Sequence, residues 1–150
     1  MNITAFDLAQ RFVGIKEVPG QVSNPAILAM LKLDQQWPED DSVPWCSAFV
    51  NYIAWLLRLP RSKSLRARSW LSVGYPQTLN TARIGFDVVI LKRGQGEQPG
   101  PRVIDAPGHV GFFAGWSDGP VCVLGGNQAD SVNTRWFGME RILDIRRLIS

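Results

Sequence analysis

The chain has 150 residues, 45% of them hydrophobic and 19% charged, with a formal net charge of +3. That size and balance support one domain (1–150) with its own core and exclude a disordered chain. No apolar run approaches the ~20 residues that a membrane-spanning helix needs, so no membrane insertion is expected. The positive charge suits an anionic partner, but no nucleic-acid recognition motif accompanies it and none is expected to bind.

In chain order, Thr4 followed by Asp7 signals a helix start of the capping-box kind. Phe6, Ala9, Phe12 and Val13 then repeat at helical spacing up to Gly14. Asn24 before Pro25 marks a second start, with Ile27, Leu28, Leu31 and Leu33 as its apolar face. A third helix is predicted over 46–58, directing Phe49, Ile53, Leu56 and Leu57 inward, and a short helical segment over 68–71. Beyond Gly74 the pattern changes to strands at 86–91, 110–114, 121–124, 131–136 and 141–146. Helices first and antiparallel strands afterwards describe an α+β fold. The Gly/Pro-rich stretch between Arg93 and Gly108 has no apolar period and reads as a mobile rim. The basic residues Arg58, Arg61, Lys63, Arg66 and Arg68 read as a solvated face.

Cys46 follows Pro44 and Trp45 where a loop passes into the third helix. A thiol there meets the positive end of the helix dipole, which favours thiolate. The chain has one histidine, His109, ahead of an apolar strand, and Asn127 follows a later one in the run Gly125-Gly126-Asn127-Gln128. Nucleophile, base and an orienting carboxamide in the order Cys, His, Asn follow papain-type logic. Cys122, in an apolar strand, reads as core packing. In a chain whose first residues carry no Sec-type signal, both thiols are expected to be free. No Cys/His cluster has metal-ligand spacing, and neither a metal nor another cofactor is expected.

Four segments carry a resemblance: 12–20, 41–50 around Trp45-Cys46, 108–112 around His109, and Leu124-Gly125-Gly126-Asn127-Gln128. Together they are similar to a bacterial and phage branch of the NlpC/P60–CHAP superfamily. The resemblance implies a papain-like α+β fold and cleavage of peptide or amide bonds in peptidoglycan, by an endopeptidase or an N-acetylmuramoyl-L-alanine amidase. Cys46 then stands as nucleophile, His109 as general base and Asn127 as the residue that orients it, with Gln128 the fallback for that role. Many CHAP enzymes carry a glutamate where this chain has Gly125. The Cys46 backbone N–H is the expected oxyanion donor, Asp41 and Gln128 are supporting residues nearby, and Trp45 is a candidate lining of the substrate cleft. The glycine pair is expected to need positive φ. These features suggest a monomeric phage endolysin or wall-lytic effector that accumulates in the cytoplasm and acts on the wall after release or secretion. The competing expectations are a transglutaminase-like acyl transferase and a non-catalytic wall-binding relative.

Overall fold

The computed structural model describes residues 2–18, 24–34 and 44–149. Three helices, α1 (Ala5–Gln10), α2 (Pro25–Lys32) and α3 (Cys46–Leu56), precede a 3-10 helix at Ala67–Ser72. Six strands follow: β1 (Tyr75–Gln77), β2 (Asp87–Lys92), β3 (Gly108–Trp116), β4 (Val121–Gln128), β5 (Ser131–Phe137) and β6 (Ile142–Arg147). They form one antiparallel sheet in the order β1-β6-β2-β3-β4-β5. The fold is α+β, with the helices on one face of the sheet.

Local chemistry accounts for the helix starts. Thr4 and Asp7 exchange side-chain and backbone hydrogen bonds at 3.0 Å, a complete capping box. Asn24 accepts the Ala26 N–H at 2.9 Å, and Pro25 takes the first helical position, where a missing N–H costs nothing. Three apolar assignments shift. Val13 lies past the end of α1 and is 52% exposed. Met30 takes the core position on α2 in place of the half-buried Leu28, and Leu56 is 43% exposed because α3 ends there and turns away from the sheet.

Period-two alternation splits the sheet residues between two apolar layers. Val88, Ile90, Val110, Phe112 and Leu124 join the helices, whereas Val89, Leu91, Phe113, Val121 and Val123 form a second cluster with Ile145. Strand β1 was not anticipated, since three residues are too few to show a period; it exists by pairing Tyr75–Gln77 with Ile145–Arg147 of β6.

Helix α3, which begins at Cys46, packs on the sheet through aromatic contacts and is tied to the 62–70 segment by polar ones. Phe49 meets Phe12 and Phe112 edge-on, each at a centroid distance of 6.0 Å. Such pairs add about 0.5–1.5 kcal/mol each beyond simple burial. At its start, the buried Ser47 hydroxyl donates to the Ser64 carbonyl at 2.6 Å and accepts the Trp70 indole N–H at 2.9 Å. One turn on, the buried Asn51 accepts the Lys63 N–H and donates to the Ser64 carbonyl, tying the same loop to the helix.

Candidate active site

Cys46 is the first residue of α3, as the sequence predicts, and His109 is the second residue of β3, paired with Leu91 on β2. The fold brings the two side chains together, and the imidazole acts on the thiol both by hydrogen bonding and by charge. Burial by itself pushes the Cys46 thiol up. The His109 hydrogen bond and charge, the Val110 backbone and the Arg93 guanidinium more than offset it, so the thiol lies below its ordinary value. Burial likewise pushes the imidazole down, but Cys46 and then Gln128 outweigh it, and His109 lies above its ordinary value despite the opposing charge of Arg93. Shifts of opposite sign on neighbours favour a thiolate–imidazolium pair.

The carboxamide that orients the imidazole belongs to Gln128, not to Asn127. Gln128 Oε1 lies 2.9 Å from His109 Nε2. The amide nitrogen faces the other way, donating to the Val123 carbonyl at 3.3 Å, the Asn133 carbonyl at 2.8 Å and Asn133 Oδ1 at 3.0 Å. With the oxygen committed to the ring, Nε2 must carry the hydrogen, which leaves Nδ1 as the base facing sulfur. Asn133 closes the support by donating to the Gln128 carbonyl at 2.7 Å and to the Ser131 hydroxyl at 2.7 Å. Replacing Gln128 by leucine is expected to lower kcat tenfold to a hundredfold. That is part of the ~10²–10⁴ that general acid–base action contributes. Loss of this hydrogen bond should also lower the His109 pKa, moving the alkaline limb of a kcat/KM–pH profile towards neutrality; an unmoved limb would refute the orienting role.

The displacement by one residue comes from backbone shape. Asn127 has φ 57°, and the β4–β5 register shifts between Gly125 and Gln128. This irregularity turns Gln128 towards His109 and leaves Asn127 half-buried on the rim of the adjoining cleft. The glycine pair does not serve as a positive-φ turn: the left-handed residues are Asn127, Ala129 and Asp130. Both glycines answer to close approach instead. A Cβ at 125 would sit 2.7 Å from Gln128 Oε1 and 3.4 Å from His109 Nε2, and one at 126 would sit 2.6 Å from the Trp45 ring. The space above position 125 is thus filled by the Gln128–His109 pair, which leaves no room for a side chain there.

Trp45 does not line the cleft. It is fully buried, its ring lies against Gly126, and its indole N–H donates to Glu17 at 2.8 Å. Asp41 lies outside the described residues. Cys46 and Cys122 are both free and buried, and burial pushes the Cys122 thiol up.

Two clefts flank the Cys46–His109 pair and share Arg93. One, of about 440 Å³, is lined by Cys46 with Pro44, Leu65, Arg66, Asp105 and Pro107. The other, of about 420 Å³, is lined by His109 with Gln128, Phe137 and several cations. Cys46 is 2% exposed and His109 7%, and each lines one of these openings. A hollow of about 600 Å³ beside α1 contains neither thiol nor imidazole, and volume alone does not mark the site.

Arg68 corrects two sequence expectations at once. It is not part of a solvated face: it is 0% exposed, and its guanidinium donates to the carbonyls of Pro107, Gly100, Val103 and Pro99 at 2.7–3.0 Å. The 99–107 stretch is therefore a pinned rim, held by four hydrogen bonds from one forked side chain, where composition alone suggested mobility. Arg61 is also engaged, in a two-pronged pair with Asp34 at 3.0 and 3.1 Å.

Among the described residues, no group of three or more His, Cys, Asp or Glu side chains is placed to hold a metal ion. No family model matches the sequence. No curated protein sequence matches it. Among solved structures, NlpC1 from Trichomonas vaginalis superposes with a TM-score of 0.55 at 15% identity, over 96% of this chain and 42% of that one. The chain thus spans less than half the length of that neighbour. At such identity the likeness concerns architecture alone: an α+β fold of the kind seen in NlpC1.

Proposed function

We propose that the protein is a cysteine hydrolase that cleaves peptide or amide bonds of bacterial peptidoglycan. The observation that carries this reading is the buried Cys46–His109 pair at the start of α3, with the second ring nitrogen held by Gln128. The NlpC/P60-like fold supports it independently.

The Cys46 thiolate attacks the scissile carbonyl carbon, and the C=O electron pair moves to oxygen. The Cys46 N–H lies at the end of α3 where the first amides have no intrahelical acceptor, so it is aimed where that charge develops. The intermediate collapses as the C–N bond breaks and the His109 imidazolium gives its proton to the departing amine, leaving a thioester. The neutral imidazole then takes a proton from water, hydroxide adds to the thioester, and the C–S bond breaks to give a carboxylic acid and restore the thiolate–imidazolium pair. Water is the co-substrate, and no metal enters any step.

The test is digestion of purified wall sacculi by the wild-type protein, read by mass spectrometry of the released fragments. The expected result is new amine and carboxyl ends in equal number at one type of bond, an endopeptidase or an amidase pattern. Fragments joined to an added amine would identify acyl transfer instead. Intact sacculi and intact defined muropeptides would refute the proposal.

A further inference from the structure

The two clefts beside the Cys46–His109 pair differ in charge. The cleft on the Cys46 side carries Asp105 together with Arg66 and Arg93. The cleft on the His109 side carries Lys92, Arg93, Arg135 and Arg141, and no carboxylate lines it. These cations come from separate parts of the fold: Lys92 ends β2, Arg135 lies on β5, and Arg141 ends the 3-10 helix Met139–Arg141. Arg141 is held in place by donating to the Gly94 carbonyl at 2.9 Å and, more weakly, to the Lys92 carbonyl at 3.4 Å. Among the described residues none of the four forms an ion pair. Four cations converging on one concavity without a protein counter-ion raise the local concentration of anions, and guanidinium groups match the planar carboxylate.

The position of this cleft relative to the chemistry gives it a direction. His109 protonates the departing nitrogen, so the fragment that leaves as the amine lies on the His109 side of the scissile bond, and the acyl fragment on the Cys46 side. We infer that the His109-side cleft is a carboxylate-binding subsite for the amine fragment, with Arg135 and Arg141 as its principal contacts and the Phe137 ring as its apolar wall. This deepens the hydrolase reading and rests on it for the direction of the substrate. Stem peptides of the wall are rich in free carboxylates, so the subsite selects bonds followed by an acidic residue. Arg93, common to both clefts, lies where it can meet the substrate on either side of the cut.

The test separates binding from turnover. Cys46→Ala protein is titrated with the dipeptide alanyl-glutamate and with its uncharged counterpart alanyl-glutamine amide, at low salt, by calorimetry or NMR. The acidic dipeptide is expected to bind at least tenfold more tightly. In the Cys46→Ala background, Arg135→Gln should weaken its binding threefold to tenfold, and Arg135→Glu should remove the preference. Arg11→Gln, in the separate hollow beside α1, should leave the preference intact. Equal binding of both dipeptides, or a preference that survives Arg135→Glu, would overturn the subsite. Sacculi and defined muropeptides that the wild-type protein leaves intact, while the dipeptides are discriminated, would remove the hydrolase reading and leave an anion site. Sacculi that are cut while the dipeptides bind equally would do the reverse.

Discussion

Cys46→Ala is expected to abolish wall hydrolysis, by about 10³-fold or more, while leaving the fold in place. The side chain is small and buried, so its truncation costs little packing, and the thermal transition should stay within a few degrees of wild type. His109→Ala should lose activity comparably, since thiolate formation and protonation of the leaving amine both pass through one ring. The double variant should be no worse than the poorer single one, because the two residues act as a unit. Chemical labelling gives a readout that does not depend on substrate. Near neutrality iodoacetamide should modify Cys46 faster than Cys122, because the first thiol lies below its ordinary pKa and the second above. His109→Ala should slow the Cys46 reaction. Equal rates for the two thiols, or a rate indifferent to His109→Ala, would show that no coupled pair exists.

The same pair sets a pH profile whose sign follows from the shifts. Activity needs thiolate at Cys46 and imidazolium at His109. The lowered thiol value places the acidic limb below the ordinary cysteine range, and the raised imidazole value places the alkaline limb above the ordinary histidine range. Hydrolysis should therefore be bell-shaped, rising with pH as the thiol ionises and falling as the imidazolium loses its proton, with the two limbs belonging to the pair and not to either residue alone. A monotonic rise through the ordinary cysteine range would mean that an isolated thiol reacts.

Arg68→Met carries the second large effect, on stability and on the shape of the cleft. The substitution keeps the apolar stem but leaves the carbonyls of Pro99, Gly100, Val103 and Pro107 without their donor. Hydrogen bonds from a charged donor are worth about 1.5–3 kcal/mol each, and losing this set from a domain of this size should lower Tm by about 10 °C. Arg68→Lys should recover only part of the loss, because one ammonium cannot reach carbonyls that a planar fork bridges at once. The loop ends at Gly108, next to His109, and Pro107 lines the Cys46-side cleft. Backbone amides in the 99–107 stretch should accordingly exchange hydrogen faster in the methionine variant. A Tm within a degree or two of wild type and unchanged exchange would exclude the pinning role.

Local signals were legible from the sequence wherever they act over one turn of helix or one strand. The capping box at Thr4 and Asp7, the Asn24-Pro25 start, the onset of α3 at Cys46 and five of the six strands depend on neighbours within a few residues, and each is found. Cys46 and His109 were legible for a related reason: a thiol at a helix start and a single histidine leave few other assignments.

What spacing could not resolve was direction. Counting along 124–128 cannot reveal that the left-handed backbone of Asn127 turns Gln128, and not Asn127, towards the ring. Trp45 shows the same limit: its neighbour Cys46 opens onto a cleft while its own ring is packed on Gly126. Arg68 was read as solvated because nearly all arginines are, and its acceptors lie 31–39 residues away in sequence. The amino-acid sequence alone determined which chemical groups the chain owns and which elements present them. Tertiary structure alone decided which carboxamide supports the histidine, which cation is buried and which cleft is basic. Those outcomes depend on side-chain direction and on contacts between distant segments, neither of which has a period to read.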